Sequence, residues 1–277
     1  MSQRRIPNAV TIAGVDPSGG AGVLADVKTF SALGAYACAV IAALTAQNTR
    51  EVTGIHPVPP EFIAREIDTL FADVGIDAVK IGMLGTAAIT RTVADGLVRW
   101  KPPVVVLDPV MVAKSGDALL AKEAVAMLKE ALLPLATVIT PNLPEAGALT
   151  GERAPESLKE MHQACEKLRR LLPDAGGRWV VLKGGHLSGA DALDLLFDGD
   201  RMIELPAKRV ETKNTHGTGC TLSSAIAALI PQRAGVPDAV RDAKAYLTRA
   251  LAASTQLQVG SGHGPVHHFH DLWRASA

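Results

Sequence analysis

Hydrophobic positions along the chain fall into two alternating patterns. Short apolar runs rich in β-branched residues predict buried strands, and longer stretches with apolar residues at helical spacing predict helices between them. The predicted strands span residues 10–12, 36–44, 78–81, 104–107, 137–140 and 179–183. The predicted helices span residues 22–33, 61–71, 86–100, 119–132 and 157–172. This alternation favours an α/β fold with a mainly parallel central sheet and helices on both faces.

One segment departs from the alternation. The apolar runs 193–197 and 202–205 flank Asp198-Gly199-Asp200, which is typical of a β-hairpin turn. We therefore expect an antiparallel pair of strands at one edge of the sheet. No Ser/Gly-rich linker, internal repeat or low-complexity stretch interrupts the pattern, so we expect one domain over residues 1–277.

Composition restricts the classes of function. The 277 residues are 48% hydrophobic and 20% charged, and 28 basic residues balance 28 acidic ones. A neutral chain with 4% aromatic residues gives no support for a nucleic-acid partner or for binding to a charged membrane surface. No apolar run approaches the roughly 20 residues of a membrane-spanning helix.

The cysteines and the N-terminus indicate a cytoplasmic protein. Cys38, Cys165 and Cys220 are far apart and odd in number, which argues against a disulfide framework. The first residues pass directly into a strand-like run, without a signal-peptide core or cleavage site.

The run 214–220, Asn-Thr-His-Gly-Thr-Gly-Cys, is the strongest candidate for chemistry. Gly217 and Gly219 allow a tight turn with accessible backbone N–H groups. Leu222, Ala225, Ile226 and Leu229 then follow at helical spacing, so a helix begins near Cys220. A helix start binds anions, and a thiol there should lose its proton more readily or accept one during a reaction. The alternative is an ordinary turn followed by a small buried cysteine.

A second glycine-rich loop, residues 14–22, lies between the first strand and the first helix. Its spacing fits neither the dinucleotide fingerprint nor the P-loop, since no Lys-Thr or Lys-Ser follows its glycines. The loop is a candidate wall of a ligand site or simply a tight turn.

Polar residues follow several predicted strands directly, and ligands of open α/β sheets bind beyond the carboxyl ends of the strands. These residues are Asp16, Gln47, Asp108, Asn142, Glu145 and Lys183. Asp108 and Glu145 could hold Mg²⁺ against phosphate oxygens, or cap helices or pair with lysines. The ammonium of Lys183 could reach a phosphate, or it could be a solvated lysine before a turn.

Two further segments carry polar side chains. Residues 111–117 are polar and contain glycine between a strand and a helix, which is typical of a flap that closes over a substrate. His267, His268 and His270 have the wrong spacing for one helical face, so we expect a packed, partly polar tail rather than a metal site.

Taken in order, these segments resemble the hydroxymethylpyrimidine/phosphomethylpyrimidine kinases of thiamine biosynthesis, which belong to the ribokinase-like superfamily. The matching segments are residues 11–22, 25–30, 46–48, 80–83, 107–111, 113–116, 140–146, 183–186 and 215–220. The resemblance implies a ribokinase-like three-layer sandwich with an antiparallel edge hairpin. It also implies ATP as co-substrate, Mg²⁺, and two phosphorylations at one site. These convert 4-amino-5-hydroxymethyl-2-methylpyrimidine to its monophosphate and then to its diphosphate.

The resemblance also implies roles for individual residues. Cys220 takes the place of the aspartate base in the Gly-Ala-Gly-Asp turn of related sugar kinases, as a base or as a group that orients the hydroxyl. The catalytic set is Cys220, Gly217, Gly219 and Lys183. The pyrimidine set is Gln47, Gly14, Met83, Val110 and, as a polar supporter, Asp26. The nucleotide set is Lys183, Asn142, Thr218 and Lys114, and the metal set is Asp108 and Glu145. Val23-Leu24 departs from the family's frequent Ile-Gln, which changes only the polarity of the loop.

Two other functions compete with this interpretation. A pyridoxal/pyridoxine kinase of the same superfamily uses a similar flat hydroxymethyl substrate. A non-catalytic sensor could bind a pyrimidine or nucleotide, but it would not need Cys220, Lys183, Asp108 and Glu145 together. The family resemblance further suggests a homodimer.

Overall fold

In the computed structural model, residues 5–111, 122–174, 176–185 and 191–273 are described. These residues form a nine-stranded sheet in the order β3-β2-β1-β4-β5-β6-β7-β8-β9. The strands are β1 Asn8–Val15, β2 Tyr36–Gln47, β3 Val52–Pro57, β4 Ala78–Ile81, β5 Val105–Leu107, β6 Val138–Ile139, β7 Trp179–Lys183, β8 Asp194–Phe197 and β9 Met202–Leu205.

Eight α-helices are found in the described part of the chain, and they connect or follow the strands. They are α1 Gly22–Ala32, α2 Pro60–Asp73, α3 Ala87–Trp100, α4 Lys122–Met127, α5 Leu143–Thr150, α6 Leu158–Arg170, α7 Thr218–Leu229 and α8 Val236–Ala252. A π-helical turn, Leu128–Leu132, and a 3₁₀ turn, Leu133–Leu135, continue α4. The predicted helix 119–132 is thus irregular at its end, and its first residues lie outside the described ranges.

The six strands from β2 to β7 in the sheet order run parallel and are mostly buried on both faces. One face packs against α2, α3 and α6 through residues such as Ile67, Val93 and Leu168. The other face packs against α1, α7 and α8 through residues such as Phe30, Ile226 and Tyr246. Three layers with two separate hydrophobic cores result, which confirms the predicted α/β sandwich.

Antiparallel strands lie at both edges of the sheet, whereas the sequence predicted them at one. The predicted hairpin is present as β8 and β9. At the opposite edge, β3 pairs antiparallel with the end of β2. Strand β3 was not predicted because its residues are mostly exposed, so it lacks the buried apolar run by which the other strands were recognised.

Within the described ranges, no helix is both long enough and apolar enough to cross a bilayer.

Candidate active site

A cavity of about 840 Å³ lies at the carboxyl ends of the parallel strands. Its lining brings together most of the residues singled out from the sequence, as expected from their positions after strands. These are Gly14, Gln47, Met83, Asp108, Val110, Asn142, Glu145, Lys183, Gly217, Thr218, Gly219 and Cys220. The two glycine-rich loops form adjacent parts of one wall.

Asp108 and Lys183 form an ion pair at the centre of the cavity. Asp108 follows β5, Lys183 ends β7, and the Lys183 Nζ lies 3.0 Å from Asp108 Oδ1. The same Nζ lies 3.9 Å from Glu145 Oε2, on the first turn of α5. The Thr140 hydroxyl donates to Asp108 Oδ1 at 3.0 Å, and the Ser223 hydroxyl donates to Oδ2 at 3.3 Å. One ammonium is therefore shared by two buried carboxylates.

The charges of this cluster shift one another's pKa. Burial and the neighbouring Asp108 raise the pKa of Glu145 to about 7, although Lys183 opposes the shift. Burial alone would raise the pKa of Asp108, but Lys183 and Lys80 hold it below its ordinary value. Burial alone would lower the pKa of Lys183, but Asp108 and Glu145 raise it. The arrangement is an ionised Asp108–Lys183 pair beside a carboxyl that titrates near neutral pH.

Both structural roles expected as alternatives for the carboxylates are present. Asn142 caps α5, and its side chain accepts a hydrogen bond from Glu145 N at 2.9 Å. Glu145 Oε2 in turn accepts from Asn142 N at 2.8 Å, which completes a capping box. Asp108 pairs with a lysine. These contacts coexist with a place on the cavity wall, so they position the carboxylates without removing them from the site.

The run 214–220 forms the predicted helix start. Gly217 is the N-cap of α7 with φ 75°, a left-handed conformation that favours glycine. A Cβ on Gly219 would lie 3.3 Å from Lys183 Nζ and 3.6 Å from Asp108 Oδ2. The backbone of the helix start therefore faces the ion pair directly, and N–H groups of the first helical turn and the Lys183 ammonium converge on one region.

Cys220 stands in the first turn of α7 on the cavity wall, but its acidity differs from the prediction. The sequence suggested a thiol that loses its proton more readily or accepts one during a reaction, and the first alternative is contradicted. Instead, burial raises the pKa of Cys220 to about 11. Lys80 lowers this pKa, but Asp26 and Asp108 raise it further. With a pKa of about 11, Cys220 is a neutral thiol at neutral pH.

Gly14, Met83 and Gln47 belong to another part of the cavity lining. Gly14 N donates to Met83 O at 3.0 Å, and a Cβ on Gly14 would lie 2.7 Å from Met83 Cε. Any residue larger than glycine at position 14 would therefore displace the end of the Met83 side chain. Gln47 ends β2, with its Oε1 3.1 Å from the Thr45 hydroxyl. Val110 is a further residue of the cavity lining.

Asp26 does not line the cavity. Its carboxylate is fully buried beneath the floor and accepts from Lys80 Nζ at 2.8 and 2.9 Å. It also accepts from the Thr11 hydroxyl at 2.6 Å and the Ser224 hydroxyl at 2.7 Å. Its place is that of a support for Lys80 rather than a direct contact with a ligand.

Lys80, Thr45 and His216 also line the cavity, and the sequence analysis gave none of them a role of its own. Lys80 lies inside a buried strand, and a charged residue within such a run was the available signal. Thr45 had no signal in the sequence. His216 stands next to Gly217, and its contact with the other glycine-rich loop joins residues 200 positions apart.

Some expectations concern other parts of the chain. Lys114 and residues 112–117 of the predicted flap lie outside the described residues. Across the described ranges, no three His, Cys, Asp or Glu residues are grouped to hold a metal ion. His267 and His268 are buried, and His268 Nε2 lies 3.1 Å from the Thr221 hydroxyl. The packed, partly polar tail is confirmed.

A three-layer α/β fold with a lysine, two carboxylates and a glycine-rich helix start in one cavity defines a small-molecule kinase of the ribokinase-like class. The chain matches the model of the phosphomethylpyrimidine kinase family over residues 16–267. The chain belongs to this family. Both the family and the kinase class expected from the sequence are thereby confirmed.

Two individual relatives carry the name of this family, and a third, similar in fold, is a pyridoxal kinase. The hydroxymethylpyrimidine/phosphomethylpyrimidine kinase of Escherichia coli is 53% identical over 266 residues, 96% of this chain and 98% of the relative. The structure of phosphomethylpyrimidine kinase from Clostridium difficile is 39% identical with a TM-score of 0.78, covering 89% of this chain and all of that chain. The pyridoxal kinase of Staphylococcus aureus, in complex with AMP-PCP and pyridoxal, is 30% identical with a TM-score of 0.87, covering 97% and 95%.

Proposed function

We propose that this chain is an ATP-dependent kinase that phosphorylates the hydroxymethyl oxygen of 4-amino-5-hydroxymethyl-2-methylpyrimidine and then the resulting monophosphate. This proposal depends mainly on one observation. The Gly219 backbone lies close to the Lys183–Asp108 pair, within a cavity that Gln47 and Cys220 also line. The name of the Escherichia coli relative supports the same two substrates. The place of these reactions is thiamine biosynthesis.

The pyrimidine ring binds at the part of the cavity lined by Gly14, Met83, Val110 and Gln47, which we call the pyrimidine slot. The Gln47 amide offers a donor and an acceptor, which suits the amino group and ring nitrogen of an aminopyrimidine. Asp26 supports this end indirectly by holding Lys80 beneath the floor.

ATP places its phosphates at the helix start. Backbone N–H groups of Gly217, Thr218 and Gly219 and the Lys183 ammonium neutralise charge on the transferring phosphoryl group. Asn142, and Lys114 from outside the described residues, are the remaining nucleotide contacts of the proposal. The AMP-PCP bound to the Staphylococcus aureus pyridoxal kinase supports ATP as co-substrate.

Mg²⁺ fits the donor set of the cavity. Asp108 and Glu145 are oxygen ligands, and Mg²⁺ is usually held by one or two carboxylates together with phosphate oxygens and water. When bound, the ion would neutralise phosphate charge and favour the ionised form of Glu145.

Cys220 orients the attacking hydroxyl in this proposal. Phosphoryl transfer proceeds through a loose transition state, so positioning and charge neutralisation outweigh the strength of a base. A thiol with a pKa of about 11 is suited to hydrogen bonding with the hydroxyl rather than to removing its proton at the outset.

A coupled ADP-release assay with ATP and Mg²⁺ tests the proposal on the hydroxymethylpyrimidine, its monophosphate and pyridoxine in parallel. We expect turnover on both pyrimidines and much slower turnover on pyridoxine. Dominant turnover of pyridoxine would make the substrate assignment wrong and leave the kinase class intact. Folded protein that binds ATP but turns over none of the three would favour the non-catalytic sensor.

We also propose a cytoplasmic homodimer with one kinase domain over residues 1–277 in each copy. Its three cysteines are free, as is usual in the reducing cytoplasm. Tyr36, Leu44 and Ile55 are exposed apolar side chains on the β2–β3 edge, which suits contact with a second copy. Sedimentation of wild-type protein beside Leu44→Glu tests this, and a wild-type monomer would contradict it.

A further inference from the structure

His216 lies where the two glycine-rich loops meet. Its side chain is 9% exposed, and its Nε2 donates a hydrogen bond to Asp16 Oδ2 at 2.7 Å. Asp16 belongs to the loop that follows β1, and His216 directly precedes the N-cap of α7. Both side chains line the cavity, but neither has a role in the proposed chemistry.

The Asp16 carboxylate organises its own loop. It accepts hydrogen bonds from Ser18 N at 2.8 Å, the Ser18 hydroxyl at 2.9 Å and Ala21 N at 3.0 Å. Burial alone would raise the pKa of Asp16, but the hydrogen bonds from His216 and Ser18 hold it below its ordinary value. The carboxylate therefore fixes the turn before α1 and presents a constant negative charge to His216 at neutral pH.

The loops are pressed together around this hydrogen bond. A Cβ on Gly20 would lie 2.3 Å from His216 Cδ2, and a Cβ on Gly217 would lie 1.7 Å from Gly20 O. The backbone of His216 is held as well, because its N–H donates to Gly264 O at 3.1 Å. The residue is therefore fixed through its ring on one side and its backbone on the other.

Displacement of His216 would be carried along the chain to Gly219, three residues later, which opposes Lys183. We propose that His216, anchored by Asp16, is a positioning residue that sets the distance between the pyrimidine slot and the phosphate-binding helix start. This role rests on the proposed function, because it concerns the alignment of a hydroxyl with a phosphoryl group. A misplacement of about 1 Å in such an alignment costs about 100-fold in rate.

The test uses two amide substitutions that differ in reach. In His216→Gln the amide nitrogen takes the position of Nε2 and keeps the donor to Asp16, whereas in His216→Asn it takes the position of Nδ1 and is too short. We expect kcat to fall about 10- to 100-fold in His216→Asn, with both KM values changed less. His216→Gln should restore most of the rate. His263→Ala, which changes an exposed histidine nearby, is the matched control.

A double-mutant cycle with Asp16→Asn completes the kinetic test. The combined His216→Asn and Asp16→Asn variant should be little slower than the slower single variant, because both changes break one contact. Multiplicative effects on kcat would overturn the proposal. Equal rates for the Gln and Asn variants, or a wild-type rate for His216→Asn, would also overturn it. Thermal unfolding of each variant identifies any that do not fold, and rates are compared only among folded variants.

A second measurement does not depend on the substrate. Mass spectrometry of the Cys220 peptide follows its alkylation by iodoacetamide, which we expect to be faster in His216→Asn than in His216→Gln because the helix start is loosened. Equal alkylation of the two variants would contradict the role of His216. If wild-type protein turned over neither pyrimidine, the proposed function would fail while this measurement still tested the contact.

Discussion

Two buried lysine–aspartate pairs lie close to the same cavity, and they differ in what remains open to a ligand. Lys80 and Asp26 are both fully buried, with Nζ–Oδ2 at 2.8 Å. Lys183 keeps 15% of its side chain exposed beside the buried Asp108. Asp26 is saturated by Thr11, Ser224 and Lys80, whereas the Lys183 ammonium faces the backbone of Gly219. The closed pair is confined to the protein core, and the open pair can contact a phosphate.

Electrostatics explains how the protein tolerates both pairs. A buried charge without a partner is costly, so each lysine depends on its aspartate. Burial alone would lower the pKa of Lys80, but Asp26 raises it. The same opposition acts on Lys183, where the partners are Asp108 and Glu145. The two carboxylates beside Lys183 provide the extra negative charge to which a metal ion is suited.

The largest expected effect is a loss of stability when one partner of the closed pair, Lys80–Asp26, is removed. Lys80→Met leaves the Asp26 carboxylate buried without its ammonium, so we expect the free energy of unfolding to fall by about 3–5 kcal/mol. Urea denaturation measures this loss. The double variant Lys80→Met, Asp26→Leu should recover much of it, because it removes both charges. An unchanged unfolding free energy in Lys80→Met would show that this pair is not structural.

Substitution in the open pair should affect catalysis more than stability. Lys183→Gln keeps a hydrogen-bond donor but removes the charge that meets the phosphoryl group, and we expect kcat to fall about 10²- to 10³-fold. Steady-state kinetics measures the rate, and urea denaturation of the same sample measures stability. If Lys183→Gln lost more stability than Lys80→Met and kept a turnover close to wild type, the Lys183–Asp108 pair would be the structural one.

Substitution of Cys220 tests the part of the site that lies between the two ion pairs. The pKa of this thiol responds to Lys80 and Asp26 of one pair and to Asp108 of the other. We expect Cys220→Ala to lower kcat by about 10²-fold while the protein stays folded, because the attacking hydroxyl loses the group that orients it. Cys220→Ser should retain much more activity, because a hydroxyl can still orient the substrate. Near-normal turnover in the Ala variant would exclude Cys220 from the reaction. Equal losses in the Ser and Ala variants would argue for a function specific to sulfur.

The smallest effect concerns Glu145 beside the open pair. Folding raises the pKa of Glu145 from 4.5 to about 7, so between these pH values the folded state keeps a proton that the unfolded state releases. Stability from this proton is present below pH 4.5 and is lost as the pH rises through 7. Relative to Glu145→Gln, we expect wild-type protein without Mg²⁺ or nucleotide to lose about 1–3 kcal/mol across this window. Parallel urea-denaturation profiles for the two proteins would contradict the assigned pKa.

The sequence predicted features that depend on local pattern. Buried strands require continuous apolar runs, so most of them were recognised. The β8–β9 hairpin was recognised from the small and polar residues of its turn, such as Asp198-Gly199. Polar residues after strands were placed correctly in one cavity because parallel strands end at one edge. The helix start at Gly217 was recognised from its glycines and the apolar stripe that follows.

Features that depend on distant contacts were not predictable. Asp26 was expected as a polar supporter of the pyrimidine end, but its ion pair with Lys80, 54 residues away, had no signal in the local sequence. A Cys220 thiol that loses its proton more readily was one of two expectations, and it is contradicted because burial, Asp26 and Asp108 raise the pKa. The edge strand β3 has no buried run to reveal it. In each case, tertiary packing decides what the local sequence leaves open.

The most direct test of the account is a product time course by liquid chromatography and mass spectrometry, starting from 4-amino-5-hydroxymethyl-2-methylpyrimidine, ATP and Mg²⁺. Wild-type protein should form the monophosphate first and then convert it to the diphosphate. Lys183→Gln should slow both steps by a similar factor, because one open ion pair contacts the phosphoryl group in each. A second step that proceeds at the wild-type rate in this variant would contradict the single shared site.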